Sequence, residues 1–360
     1  TKKKAMSSIV LDYNTAGYTY DLIVINYESL HKVDTSSVDV VITDESHGFG
    51  SFPKPSVNCK KVKEVFLKNR SAYHILLSGT PAAETHSSFY HQFWVNPRSP
   101  FSNYISFYKW AKDFVDVKQV RIGAFMVNDY KDAIESKIRE SLSPYLFILT
   151  QKDSGFEASV EDHIVEVPML PITYTLVKTL MKDRVIEGSD HVILADTGVR
   201  LQQLCHQLYS GTVKFDDGSR KVLDYSKAEF IHNKFKSNKI AIFYVFIAER
   251  EAIINVYGKD NVTDSLEEFN ATGKSYVGQV VSSKEGLNLS KAEFLVMYNI
   301  MFSSTNYWQS RERLSTMNRQ KTDVYWIFAE KGIEHKIFKS VMKKKSYTLN
   351  LFKKDYAIRK

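Results

Sequence analysis

Short apolar runs alternate with helix-like stretches through the first half of the sequence. The apolar runs are Asp21–Asn26, Val38–Thr43 and His74–Ser78, and polar or small residues follow each of them. Between the last two, Lys60–Asn69 spaces its apolar residues as an amphipathic helix does. Short apolar strands separated by helices are typical of a parallel α/β sheet. We therefore expect functional groups just past the carboxyl ends of these strands.

A second alternating set begins after two stretches with a helical period, residues 90–145 and 172–235. A strand-like stretch, Glu157–Pro168, lies between the two. Strand-like runs then resume at Lys239–Phe246, Tyr276–Ser282, Phe294–Asn299 and Asp323–Phe328. The pattern predicts an α/β protein with two lobes of parallel sheet flanked by helices, and with helical insertions.

Composition narrows the class of protein. A length of 360 residues is enough for two or three domains. The 15 Gly and 8 Pro are too few for long flexible linkers. The two cysteines, Cys59 and Cys205, are far apart, which argues against a disulfide scaffold or a cysteine zinc site and fits a reducing, cytoplasmic compartment. The longest apolar run, Ile240–Ala248, is shorter than the roughly 20 residues of a membrane span, so no membrane association is expected.

Charge favours a polyanionic partner. The 49 Lys and Arg against 41 Asp and Glu leave a net charge of +8. A positive field of this size favours nucleic acid, and no zinc finger or other base-reading motif is visible. We therefore expect binding to DNA with little sequence specificity, and a monomeric protein.

Two adjacent carboxylates, Asp44 and Glu45, directly follow the apolar run Val38–Thr43 in the sequence DESH. Nucleoside triphosphate hydrolysis uses such a pair, one carboxylate for Mg²⁺ and the other for the attacking water. The same two residues also occur together at the start of a helix, where Asp caps the N-terminus and Glu lies in the first turn. Ser78, Gly79 and Thr80 follow the next apolar run in the sequence SGTP. The ordered pair of motifs is more specific than either motif alone.

This order resembles the superfamily 2 helicases and translocases, and most closely their Swi/Snf-type branch. The other matching segments, in chain order, are Asn26-Tyr27-Glu28, Leu149–Lys152 with the strand that follows it, Arg200–His206, the run from Ile240, Ser282–Leu289, Gln309–Arg313 with Arg319-Gln320, and the run from Val324. The resemblance implies two RecA-like lobes. The first lobe would occupy residues 1–150, with a helical insertion at about 90–145. A crossing and helical segment at 151–235, the second lobe at 236–335 and a basic helical extension at 336–360 would follow.

The resemblance also implies roles for the motif residues. Asp44 would hold Mg²⁺, mainly through water, Glu45 would act on the attacking water, and His47 would link the nucleotide to the second lobe. Ser78, Gly79 and Thr80 would couple ATP hydrolysis to motion. Asn26, Tyr27, Ser282, Gly286 and Asn288 would contact nucleic acid, and Gln309, Arg313 and Arg319 would act at the phosphates.

Two departures from the family pattern stand out. No G-x-x-x-x-G-K-[ST] loop occurs, and the one GK[ST] sequence, Gly273-Lys274-Ser275, has Glu268 where the first Gly would be. We expect it to be a surface loop, so the phosphate-binding loop would lie on residues before Thr1, or the protein would not bind ATP. In addition, Thr316 stands where the family has its arginine finger. We expect Arg313 or Arg319 to replace that finger, and the loss of the nearby Arg311 not to cripple DNA-stimulated ATPase.

These observations favour an ATP-dependent DNA helicase or translocase that moves along or remodels duplex or branched DNA, with ATP and Mg²⁺ as cofactors. The compact size suggests a phage- or bacterium-encoded protein of DNA replication or repair. An RNA helicase is a same-class alternative. An alternative from a different class is a clamp that binds nucleic acid without hydrolysing ATP. The missing loop and the displaced arginine favour it.

Overall fold

In a computed structural model of the chain, the described residues are 1, 3–79, 81–82, 85–122, 125–149, 159–188, 191–283, 289–311, 321–343 and 347–356. The chain divides into two compact units, a first unit of Thr1–Leu149 and a second unit of Thr150–Lys360. Within the described ranges, no helix combines the length and the apolar composition that crossing a membrane requires.

The first unit contains short helices and two small sheets. Its elements are α1 (Met6–Ala16), β1 (Val40–Thr43), α2 (Val57–Lys68), β2 (Tyr73–Leu76), α3 (Phe89–Trp94), α4 (Phe107–Phe114), β3 (Lys118–Ile122), β4 (Phe125–Asp129) and α5 (Glu135–Leu142), with 3₁₀ turns at Lys3–Ala5, Tyr27–Lys32, Ser46–Phe49, His86–Ser88 and Ser143–Tyr145. The predicted strands at Val38–Thr43 and His74–Ser78 and the predicted helix at Lys60–Asn69 are confirmed by β1, β2 and α2. Asp21–Asn26 is not a strand, because no described strand pairs with it and its Ile25 carbonyl instead accepts from the Thr1 ammonium group.

Strands β1 and β2 form a two-stranded parallel sheet with two different faces. The inner face lies over α2, and its core includes Cys59, Val62 and Phe66. The outer face is apolar, and each of its residues is at least 45% exposed: Val40, Ile42, Tyr73, Ile75 and Leu77. Parallel sheets ordinarily have both faces covered. This sheet differs, because among the described residues only its inner face is packed into a core.

The second core of the first unit is aromatic. Trp110 and Tyr90 are fully buried between α3 and α4, and Phe101 packs edge-on against Trp110. The stretch 90–145, expected to be mostly helical, contains α3, α4 and α5 but also the antiparallel hairpin of β3 and β4. Val120 and Val127 pair across this hairpin, and such β-branched residues favour strands over helices.

The second unit is built on one large sheet. Its elements are β5 (Ser159–Val167), α6 (Pro171–Asp183), β6 (Val185–Glu187), β7 (Val192–Leu194), α7 (Gly198–Tyr209), β8 (Thr212–Lys214), β9 (Arg220–Val222), α8 (Ser226–Lys234), β10 (Ile240–Tyr244), α9 (Ile247–Tyr257), β11 (Val262–Thr263), α10 (Leu266–Ala271), β12 (Ser275–Gln279), α11 (Val280–Ser283), β13 (Phe294–Met297), α12 (Ser304–Arg311), β14 (Lys321–Ala329), α13 (Glu334–Val341) and α14 (Leu349–Asp355), with a 3₁₀ turn at Lys259–Asn261.

Six strands of this unit form a parallel sheet in the order β11-β12-β10-β13-β14-β5. Helices pack on it through two apolar clusters, one of which contains Phe243 and Trp326 and the other Ile242 and Ile327. The predicted α/β class, with parallel sheet flanked by helices, is confirmed.

The limits of this sheet differ from the expected segment 236–335. Strand β5 comes from the stretch expected to be a crossing, and it pairs with β14 over nine residues, from Ser159↔Lys321 to Val167↔Ala329. Helices α13 and α14, expected to be an extension, bury Ile337 and Phe352 in the same core. Strand β5 gives β14 a second neighbour, so β14 is not an edge strand. The two helices add apolar side chains to the core on one face of the sheet.

A fully buried polar network lies past the carboxyl ends of β10, β13 and β14. Lys227 Nζ is 2.7 Å from Glu334 Oε1, and both side chains are fully buried. Asn299 donates to Glu249 Oε1 at 2.7 Å. His206 Nε2 lies 2.7 Å from Asn299 Oδ1, which can only accept, so the His206 proton is on Nε2. These contacts satisfy groups that would be costly to bury alone.

His206 should make the stability of the second unit depend on pH. Complete burial lowers the pKa of His206 from 6.5 to about 4. The unfolded chain therefore takes up a proton below about pH 6.5 that the folded chain takes up only near pH 4. Stability should fall across this window, by up to about tenfold in the folding equilibrium constant per pH unit.

Urea unfolding followed at several pH values, from about 7 to about 4, measures this effect. His206→Gln keeps a donor to Asn299 but cannot take up a proton, so its stability should depend less on pH. Burial also raises the pKa of Glu249, with an effect of opposite sign that both proteins share. Equal pH dependence in the variant and the wild type would contradict the assignment.

Candidate active site

The carboxyl end of β1 delivers the two adjacent carboxylates. Asp44 Oδ2 accepts a hydrogen bond from the Thr1 hydroxyl at 2.7 Å, and the Asp44 backbone carbonyl accepts one from the Tyr27 hydroxyl. Glu45 has positive φ (52°) and ψ of 45°, a left-handed conformation that is uncommon for a residue with a Cβ. The turn that follows is the 3₁₀ segment Ser46–Phe49.

The end of β2 lies beside the end of β1 because the two strands are parallel and in register. Their ladder continues past both strands. Leu77 N donates to Thr43 O at 3.0 Å, and Ser46 N donates to Leu77 O at 2.9 Å. This pairing brings Ser78, the first residue of SGTP, next to the DESH turn.

His47 joins the two motifs. Its Nδ1 is 3.1 Å from Ser78 Oγ and 3.1 Å from Glu45 Oε2. The same ring nitrogen thus lies within contact distance of a hydroxyl and of a carboxylate oxygen. The side chains of His47 and Glu45 are 19% and 21% exposed, so solvent reaches both while the protein fixes their orientation. Carboxylate, imidazole and hydroxyl thus form one chain across two strand ends.

The other residues of the first unit named from the sequence have different surroundings. A Cβ added at Gly79 would meet nothing within 4 Å, so the described structure does not require glycine there. Thr80 lies outside the described residues. Asn26 and Tyr27, expected at a nucleic-acid surface, are less than 10% exposed. Asn26 donates to Glu28 Oε2 at 2.9 Å, and the Tyr27 hydroxyl donates to the Asp44 carbonyl, so Tyr27 supports the site from inside.

The predicted site residues of the second unit are only partly described. Ser282 is part of α11 and Gln309 is part of α12. Gly286, Asn288, Arg313 and Arg319 lie outside the described residues. The Gly273-Lys274-Ser275 sequence follows α10, and Lys274 Nζ pairs with Glu268 Oε1 at 2.6 Å.

Asp162, on β5, has a role that the sequence did not indicate. Its carboxylate accepts from Arg311 Nη2 at 2.7 Å, from the Tyr307 hydroxyl at 3.0 Å and from Trp326 Nε1 at 2.8 Å. The Asp162 and Arg311 side chains are only 13% and 12% exposed. This carboxylate fastens the end of α12 to the sheet, which gives Arg311 a structural role.

One group of side chains could in principle hold a metal ion, and among the described residues it is the only such group. Glu161, His163 and Asp323 lie close together at the start of β5 and β14. Lys321 Nζ is 2.7 Å from Glu161 Oε2 and 3.4 Å from Asp323 Oδ1. The ammonium group already supplies the positive charge there, so an ion-pair network describes this cluster better than a metal centre.

Asp162→Asn should destabilise the second unit more than the loss of a surface ion pair does. We expect a loss of about 1.5–3 kcal/mol, the usual contribution of hydrogen bonds to a charged group. Asp216→Asn is a matched control, because Asp216 pairs with Arg200 at 2.6 Å but is 60% exposed, and it should cost less than about 1 kcal/mol. Urea unfolding of both variants checks this, and equal losses would contradict the role of Asp162.

Comparison with known proteins gives structural neighbours only. No protein-family model and no curated protein sequence matches the chain. The C-terminal part of the Fun30 ATPase domain is 10% identical, with a TM-score of 0.41, over 55% of this chain and 96% of its own. A Sulfolobus solfataricus SWI2/SNF2 ATPase core in complex with dsDNA is 15% identical, with a TM-score of 0.35, over 98% of this chain and 80% of its own. At these values the activity and ligands of this chain must be argued from its own residues.

Proposed function

We propose that the protein is an ATP-dependent DNA translocase that couples hydrolysis of ATP to movement along, or remodelling of, duplex or branched DNA. The observation that carries the proposal is the chain of contacts from Glu45 through His47 to Ser78. It joins a carboxylate suited to activating water to a hydroxyl on the neighbouring strand end. A hydrolysis site that must report its state to another part of the protein needs such a connection.

Asp44 and Glu45 would divide the chemistry between them. Mg²⁺ typically binds to one or two carboxylates plus phosphate oxygens and water, and a partly buried Asp44 at a strand end fits that requirement. The ion, when bound, would neutralise phosphate charge. Glu45 would accept a hydrogen bond from the attacking water and orient it toward the γ-phosphate. His47, whose Nδ1 lies 3.1 Å from Glu45 Oε2, would hold that carboxylate in place.

The proposal requires a phosphate-binding loop that this sequence does not contain. The decisive experiments therefore measure ATP binding alongside ATP hydrolysis. Arg313 or Arg319 would act as the arginine finger. The absence of the loop sequence is also the observation that favours the second candidate, a clamp that binds DNA without hydrolysing ATP. A preference for RNA over DNA in the ATPase assay would instead point to an RNA helicase.

Glu45→Gln should abolish turnover but spare nucleotide binding. Gln keeps the shape of the side chain and loses the oxygen that accepts the proton of water, so kcat should fall by at least about 100-fold. Glu64→Gln, at an exposed position on α2, is the matched control and should hydrolyse ATP like the wild type. The measurement is steady-state ATPase with saturating duplex DNA of several unrelated sequences.

Each result separates the candidates. A wild-type protein that binds DNA but never hydrolyses ATP would replace the translocase with the clamp. A Glu45→Gln variant that turns over near the wild-type rate would remove Glu45 from the chemistry. Stimulation by only one of the DNA sequences would contradict a partner recognised through its phosphates.

A further inference from the structure

A buried amide, that of Gln92 on α3, connects the DESH turn to the loop that follows β2. Gln92 is 1% exposed. Its Oε1 accepts a hydrogen bond from the Ser46 hydroxyl at 3.2 Å. Its Nε2 donates to Pro81 O at 2.7 Å and to Ser88 O at 3.1 Å. One side chain therefore contacts both motif-bearing segments and the start of its own helix.

The orientation of this amide is fixed by its partners. Backbone carbonyls can only accept, so the NH₂ group must face Pro81 and Ser88. The oxygen then faces Ser46, whose hydroxyl can donate to it. Neither a carboxylate nor an apolar side chain could make these three contacts. The site thus specifies glutamine, which is notable in a helix whose other members are mostly aromatic.

Ser46 is the residue through which Gln92 reaches the chemistry. It is 1% exposed and lies between Glu45 and His47 in the chain. Its backbone N–H donates to Leu77 O and its hydroxyl to Gln92, so both of its donors are held by other segments. A shift of Pro81 or α3 would therefore move the turn that sets the directions of Glu45 and His47.

We propose that Gln92 is a positioning residue that couples the DESH turn to the SGTP loop, in parallel with the His47–Ser78 contact. The inference rests on the proposed function, because the coupling matters only if Glu45 acts in hydrolysis. Gln92 would not touch nucleotide or DNA. Its loss should leave ATP binding intact and weaken the response of hydrolysis to DNA.

Gln92→Met keeps the length and volume of the side chain but removes all three hydrogen bonds. The ratio of DNA-stimulated to basal kcat should fall about tenfold, within the range by which such coupling residues act, while KM for ATP changes less than about twofold. Gln92→Glu, nearly isosteric but unable to offer two donors, should behave like Gln92→Met. Gln202→Met is the matched control, since Gln202 is buried in α7 and its Nε2 has no hydrogen-bond partner among the described residues.

Hydrogen exchange gives a second readout that does not depend on ATPase activity. The amides of Gly48 and Gly50 close the DESH turn onto Glu45 O and His47 O. Their exchange should accelerate in Gln92→Met and stay unchanged in Gln202→Met. A wild type without DNA-stimulated ATPase would contradict the proposed function. Hydrogen exchange would still test whether Gln92 holds the DESH turn in place. Unchanged exchange, or a normal DNA response in Gln92→Met, would overturn the role of Gln92.

Discussion

The register of β1 against β2 is the constraint on which the candidate site depends. Parallel pairing from Val40↔Tyr73 to Thr43↔Leu76 makes the two strands end together, and the ladder then continues through Ser46 and Leu77. Only because of this register do Glu45, His47 and Ser78 come within hydrogen-bonding distance. A shift of one residue would turn every side chain of the shifted strand to the opposite face and separate these groups.

Two kinds of polar group lie at strand ends in this protein, and burial separates them. In the first unit Glu45 and His47 are about one-fifth exposed, so water and ligands can reach them. In the second unit Lys227 pairs with Glu334 and Asn299 bonds Glu249, and all four residues are fully buried. The first arrangement suits chemistry, because the groups can exchange protons with solvent. The second arrangement favours a single way of packing the core, because a buried polar side chain must meet its hydrogen-bond partner.

The sequence predicted local features well and long-range ones poorly. Apolar runs bounded by polar residues located β1, β2, β10 and β13, and the rule that parallel strands end at a common edge brought DESH and SGTP together. The pairing of β5 with β14 joins residues about 160 positions apart, and no local pattern encodes such a register.

Asp162 and Gln92 escaped prediction for the same reason. The partners of Asp162 on a helix and a strand lie 145 to 164 positions away, and Gln92 stands alone among aromatic residues. The burial of Asn26 and Tyr27 was not foreseen either, because a motif match does not reveal burial. Their neighbours Leu22 and Ile23 are exposed, whereas Tyr27 is held inside by its bond to Asp44.

The most direct test of the account is a double-mutant cycle between His47 and Ser78, measured as DNA-stimulated kcat. If the two side chains act through their mutual contact, His47→Ala with Ser78→Ala should be about as slow as the slower single variant, with a coupling free energy of at least about 0.5 kcal/mol. If the effects of the two substitutions simply multiply, the contact plays no part in hydrolysis and the site does not work as described.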